Sequence, residues 1–112
     1  MKLGFQNKLF GTLLRTRALM YLAAMEETYP VELARTMGAA PFPVQRLLDS
    51  LETEGVVVSR KLGLERRFTL NRRFFGSSEL RSLLLKMGQA DAELQNALAQ
   101  RRTRPRRKGK PL

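Results

Sequence analysis

Four residues punctuate the middle of this chain and settle most of what it can fold into: Pro30, Gly38, Pro41 and Gly55. A proline ring fixes φ and removes an N–H, so proline is accepted in a helix only within the first turn, whereas glycine adopts the left-handed conformation that ends one. A short helix over 31–37, opened by Pro30, and a longer one from about Phe42 to Glu54 follow, joined by a tight connection over 39–41. Leu33, Ala34 and Met37 give the first its apolar face, and Glu32 in its first turn suits the helix dipole. Val44, Leu47, Leu48 and Leu51 give the second its apolar face.

The flanks extend the pattern. Thr16 is placed as an N-cap for a helix from Arg17 to about Glu27, with Leu14, Ala18, Tyr21, Leu22 and Met25 on one face. Thr28 and Tyr29 break it. After Gly55, the β-branched run from Val56 to Arg60 reads as a strand, Leu62 to Glu65 as a turn, and Arg67 to Leu70 as the return strand. Ser77 or Ser78 can cap a final helix, on which Leu80, Leu83, Met87, Ala90, Leu94 and Ala97 are spaced like the seam of a coiled coil. The expected fold is mainly α with a small antiparallel β-hairpin and an extended C-terminal helix. Residues 1–86 form the main domain, 87–100 the helical extension and 101–112 a disordered basic tail.

Charge narrows the function. Lys and Arg number 21 against 10 Asp and Glu, a net +11. Seven of the cations crowd into residues 101–112, and Arg60, Lys61, Arg66, Arg67, Arg72 and Arg73 form a second cluster facing only Glu65. Polyanions are the natural partners of such a distribution. The chain has no Cys and no His, so disulfides, thiol nucleophiles, the usual zinc ligands and the commonest neutral-pH base are missing together. No phosphate-binding glycine loop is present. An enzyme is not expected, nor a metal or other cofactor. No apolar run is long enough to span a membrane, and the expected location is cytoplasmic, on the nucleoid.

Four fragments in this order resemble winged helix-turn-helix regulators of the ArsR-like and MarR-like kind. They are Thr16-Arg17 followed by Leu19 and Leu22, Glu32-Leu33-Ala34 with Met37-Gly38, Val44 with Leu48, Leu51-Glu52 and Gly55-Val56-Val57, and Gly63 with Arg66 to Asn71. The resemblance spans residues 9–86. It implies a winged helix-turn-helix with 42–54 as the recognition helix and the hairpin as the wing, and it implies binding to double-stranded DNA as a homodimeric transcriptional regulator, in the sense of a repressor. Two departures stand out. Ala40, Pro41, Phe42 and Pro43 occupy the start of the recognition helix, where the family has a side-chain cap, and the Cys and His of the metal-sensing members are absent.

Placed on a helical wheel with Val44 inward, Phe42, Arg46, Asp49 and Thr53 fall on the opposite face. Arg46 is the candidate for a bidentate contact to guanine, and Gln45 can reach adenine or phosphate. Phe42, beside Pro43, either meets a thymine methyl or packs back against the turn. Asp49 shares the face and can hold Arg46 in place. Glu52 and Glu54 would repel phosphate, so the helix enters by its N-terminal half. In the hairpin, Arg60, Lys61, Arg66 and Arg67 cannot all point one way. Some serve phosphates or the minor groove, and the rest solvate an edge. The first part of this stripe, Leu80 to Leu84, completes the core, whereas Met87, Ala90, Leu94 and Ala97, as apolar surface beyond the reach of a small domain, are expected to pair two copies. A non-specific DNA- or RNA-binding or plasmid-maintenance protein and a winged-helix protein-interaction module are the alternatives to a sequence-specific regulator.

Overall fold

The computed structural model describes residues 9–103. The elements follow in the expected order: α1 (Leu13–Met25), α2 (Pro30–Met37), α3 (Pro41–Thr53), β1 (Val57–Leu62), β2 (Glu65–Leu70), α4 (Ser77–Gln89) and α5 (Ala92–Thr103). Residues 101–103, expected in the disordered tail, are instead the last turn of α5, and from residue 104 the tail lies outside the described residues.

Helix α1 begins one turn earlier than expected. Thr12 is the N-cap, its hydroxyl accepting from the Arg15 N–H at 3.0 Å. Thr16 is buried inside the helix and donates its hydroxyl to the Thr12 carbonyl at 2.9 Å. The helix ends where Glu26 takes a φ of 75°, a conformation disfavoured for any residue with a Cβ, and donates its N–H to the Leu22 carbonyl. A one-sided apolar face was expected here. Instead Ala18, Leu19, Met20, Tyr21, Leu22 and Ala23 are all buried, because α2, α4 and β2 pack around α1.

The prolines and Gly38 do what the sequence requires of them. Pro30 and Pro41 open α2 and α3, and Gly38 closes α2 in the left-handed conformation, its N–H reaching the carbonyls of Ala34 and Arg35. Helix α3 seats Val44, Leu48 and Leu51 at 0% exposure against α2 and β1, so a fixed inner face sets the direction of its outer one.

The hairpin pairs Val57 with Leu70 through to Leu62 with Glu65, leaving Gly63 and Leu64 as a two-residue loop. Gly63, with a φ of 65°, supplies the positive dihedral such a loop demands at its first position. A third element was not foreseen. Thr28 bridges Phe68, N–H to carbonyl in both directions at 3.0 and 2.8 Å, and so ties the α1–α2 link to the edge of the wing.

The C-terminal stretch is helical as expected, but it is two helices. The chain turns at Ala90–Asp91, where the Asp91 carboxylate accepts from the Leu94 N–H at 3.2 Å and Gln95 donates to the Gly88 carbonyl at 2.8 Å. The local capping chemistry overrides the unbroken heptad spacing. Helix α5 folds back on α2 and α4, and Met87, Leu94 and Leu98 join the core at 4%, 2% and 1% exposure. Gly88 lies at this contact, where a Cβ would stand at ordinary van der Waals distance, 3.4 Å from Leu94 Cδ2 and 3.7 Å from Met20 Cβ. The seam expected to pair two copies is therefore covered by its own chain at Met87 and Leu94, with Ala90 and Ala97 half-buried.

Candidate nucleic-acid interface

With Val44, Leu48 and Leu51 inward, α3 turns Phe42, Pro43, Arg46, Asp49 and Thr53 to solvent. Phe42 does not tuck against the turn. It is 69% exposed, and the Arg46 guanidinium lies over its ring, 5.7 Å from the centroid. A cation on an aromatic face is oriented without being neutralised, so Arg46 keeps its full charge for a ligand. Asp49 does not hold Arg46 as expected. Its carboxylate accepts instead from the Gln45 side-chain amide at 3.0 Å, one turn earlier on the same helix. The acids at the end of α3 are also engaged. Glu54 pairs with Arg15 of α1, and Glu52 accepts from the Ser59 hydroxyl of β1 at 2.6 Å. These contacts tie Glu52 and Glu54 to the hairpin and α1, while Asp49 stays on the outer face.

The hairpin sorts its four cations by strand parity. Arg60 and Arg67 stand opposite each other and share the face that carries Glu27 and Tyr29. Glu27 accepts from both, at 3.0 Å from Arg60 and 3.1 Å from Arg67. Arg67 also reaches Glu65 at 3.0 Å and lies 4.7 Å from the Tyr29 ring centroid. Desolvation pushes the Arg67 pKa down, and the charges of Glu65 and Glu27 more than reverse it, leaving the guanidinium above its ordinary value. This arginine secures the wing to the α1–α2 link. Lys61 and Arg66 form the next pair, on the opposite face, which also carries Ser59 and the buried Phe68 and Val57. Both are exposed, and Arg66 donates to the Ser59 hydroxyl at 2.9 Å. Since Ser59 also touches Glu52 of α3, Lys61 and Arg66 lie on the side of the wing turned toward α3.

Arg17 shows what a fully committed arginine looks like. It holds Asp91 through two hydrogen bonds of 2.6 and 2.9 Å and Glu93 through a third of 2.6 Å. The Asp91 hydrogen bond raises the Arg17 pKa above its usual value against the desolvation that lowers it. The residue joins α1 to the start of α5, a structural role the sequence did not reveal. The signal was present in Asp91, a cap residue with Glu93 in the following turn.

Among the described residues no group of His, Cys, Asp and Glu side chains is placed to hold a metal ion, and no helix is long and apolar enough to cross a membrane. The backbone matches a solved structure, the adhesin competence repressor AdcR from Streptococcus pyogenes, with a TM-score of 0.61 over 88% of this chain and 72% of that one. The fold is a winged helix. At 18% sequence identity the likeness is one of architecture. No family model and no curated relative matches the sequence.

Proposed function

We propose that the chain is a sequence-specific double-stranded-DNA-binding transcriptional regulator, with α3 in the major groove and the wing on phosphates or in the minor groove. One observation carries this reading. Arg46 stands on the outer face of a helix whose inner face is fully buried, held over Phe42 and, among the described residues, in no ion pair. A guanidinium so held presents a planar fork to the edge of a guanine. The architecture supports the reading by likeness to a repressor from Streptococcus pyogenes, and a repressor is the sign of regulation proposed. Lys61 and Arg66 are the wing residues assigned to phosphate, with Arg60 contributing less because Glu27 already faces it. Pro43, Gln45 and Asp49 line the entering end of α3 without being assigned a base.

A homodimer remains part of the proposal, but its interface is not Met87 and Leu94, which the protomer buries itself. Two copies would present two recognition helices to half-sites about one helical turn apart. Sedimentation as a monomer would confine the proposal to one helix per molecule.

Selection of bound duplexes from a random pool tests the main claim, followed by salt titration on the selected and on scrambled DNA. The expected result is a selected site that loses affinity when Arg46 is replaced by Ala, while scrambled DNA is bound as before. Equal loss on every sequence would favour a non-specific nucleic-acid binder, and no duplex binding at low salt would favour a protein-interaction module.

A further inference from the structure

The tip of the wing carries a residue that phosphate binding does not explain. Among the described residues Leu64, at 102% exposure, is the most exposed of the large apolar side chains, and it stands at the tip of a hairpin closed by Leu62 with Glu65 and carrying two cation pairs behind them. Gly63, with a φ of 65°, fixes the loop in two residues, so Leu64 is the one side chain of the loop itself, with Leu62 of the closing pair beside it at 48% exposure. The last pair anchored in the body is Arg60 with Arg67, both held by Glu27 and the latter lying over the Tyr29 ring. Three residues at about 3.3 Å each carry the apex about 10 Å beyond that anchor. A minor groove is about 6 Å wide and 7.5 Å deep. Two strands about 5 Å apart, with side chains to either side, are too broad to enter it, whereas a single side chain at the apex is not.

The charges behind the tip fit the same partner. Lys61 and Arg66 sit one pair back from the closing pair, exposed and opposite each other, where a groove's two phosphate rims would lie. Glu65, the acid nearest the tip, is turned back to Arg67.

We infer that Leu64 is an apolar wedge that enters the DNA minor groove and partly unstacks one base step while Lys61 and Arg66 hold the flanking phosphates. The inference rests on the duplex-binding reading above. Apolar wedges of this kind kink a duplex and favour deformable pyrimidine–purine steps, so the wing would contribute specificity without hydrogen-bonding to a base.

The test uses the full chain and a duplex selected from a random pool, with 2-aminopurine replacing each adenine of the site in turn. The wild type should raise the emission of 2-aminopurine at one step. Leu64→Ser should return that emission to the level of the free duplex while still binding, and Leu64→Phe should preserve the rise. An exposed loop position makes all three proteins equally foldable, which a urea midpoint checks. Binding with no rise at any step, or an undiminished rise with Leu64→Ser, overturns the wedge and leaves the duplex-binding reading standing. Failure to bind any duplex at low salt overturns both.

Discussion

The junction of α1 with α5 and the outer face of α3 both depend on an arginine, and the two are used in opposite ways. Arg17 lies 20% exposed between Asp91, itself 3% exposed, and Glu93. Its charge is consumed in holding two helices together. Arg46 lies over an exposed phenylalanine with its charge intact. The wing repeats the contrast within one hairpin, with Arg67 committed to Glu27, Glu65 and Tyr29 and Lys61 left to solvent. Neighbouring carboxylates, and not the count of cations, decide which part of a strongly basic chain is available to a polyanion.

The sharpest way to break that contrast is Asp91→Ala. It removes both the α5 cap and the main partner of Arg17. We expect a stability loss of about 2–3 kcal/mol by urea denaturation, below the roughly 3–5 kcal/mol of a fully buried pair because Glu93 and some water remain. DNA affinity of the folded protein should be unchanged. A loss under about 0.5 kcal/mol would show that the junction does not depend on this pair.

Arg46→Ala should do the reverse. Affinity for a selected duplex should fall by about 1–3 kcal/mol, with stability altered by no more than about 0.5 kcal/mol. A titration in which stability falls and affinity does not would assign Arg46 to the fold.

Within the wing the effects are smaller. Arg67→Ala should lower the urea midpoint by the equivalent of about 1 kcal/mol, the sum of a weak ion pair and a cation–π contact. Replacing Lys61 and Arg66 together by Ala should leave the midpoint in place and reduce the salt dependence of binding by about two phosphate contacts. If the two variants exchange behaviour, the assignment of the hairpin's faces is wrong.

The apolar spacing of α3 was enough to place Phe42 and Arg46 outside, because a helix with Val44, Leu48 and Leu51 buried has one possible outward face. What Asp49 does was not legible. Whether it meets Gln45 or Arg46 depends on side-chain geometry at two spacings that a helix permits equally. The Thr28–Phe68 bridge was missed because a single pair leaves no alternating pattern, and the start of α1 because Thr12 and Thr16 are both acceptable caps.

The C-terminal stretch gives the clearest division. Sequence alone determined that 77–100 is largely helical, that α2 and α3 meet across a turn set by Gly38 and Pro41, and that a β-hairpin turning at 62–65 follows. All of these arise from contacts a few residues apart, where backbone sterics and local capping dominate. Only the tertiary structure decided that α5 doubles back to bury Leu94 and Leu98 against its own core, that Arg17 and Arg67 are spent inside the protein, and that, among the described residues, Arg46 has no ion-pair partner while Leu64 is fully exposed. Those outcomes turn on residues tens of positions apart. The energy of a charge or an apolar side chain depends on what is brought beside it, which spacing along the chain does not record.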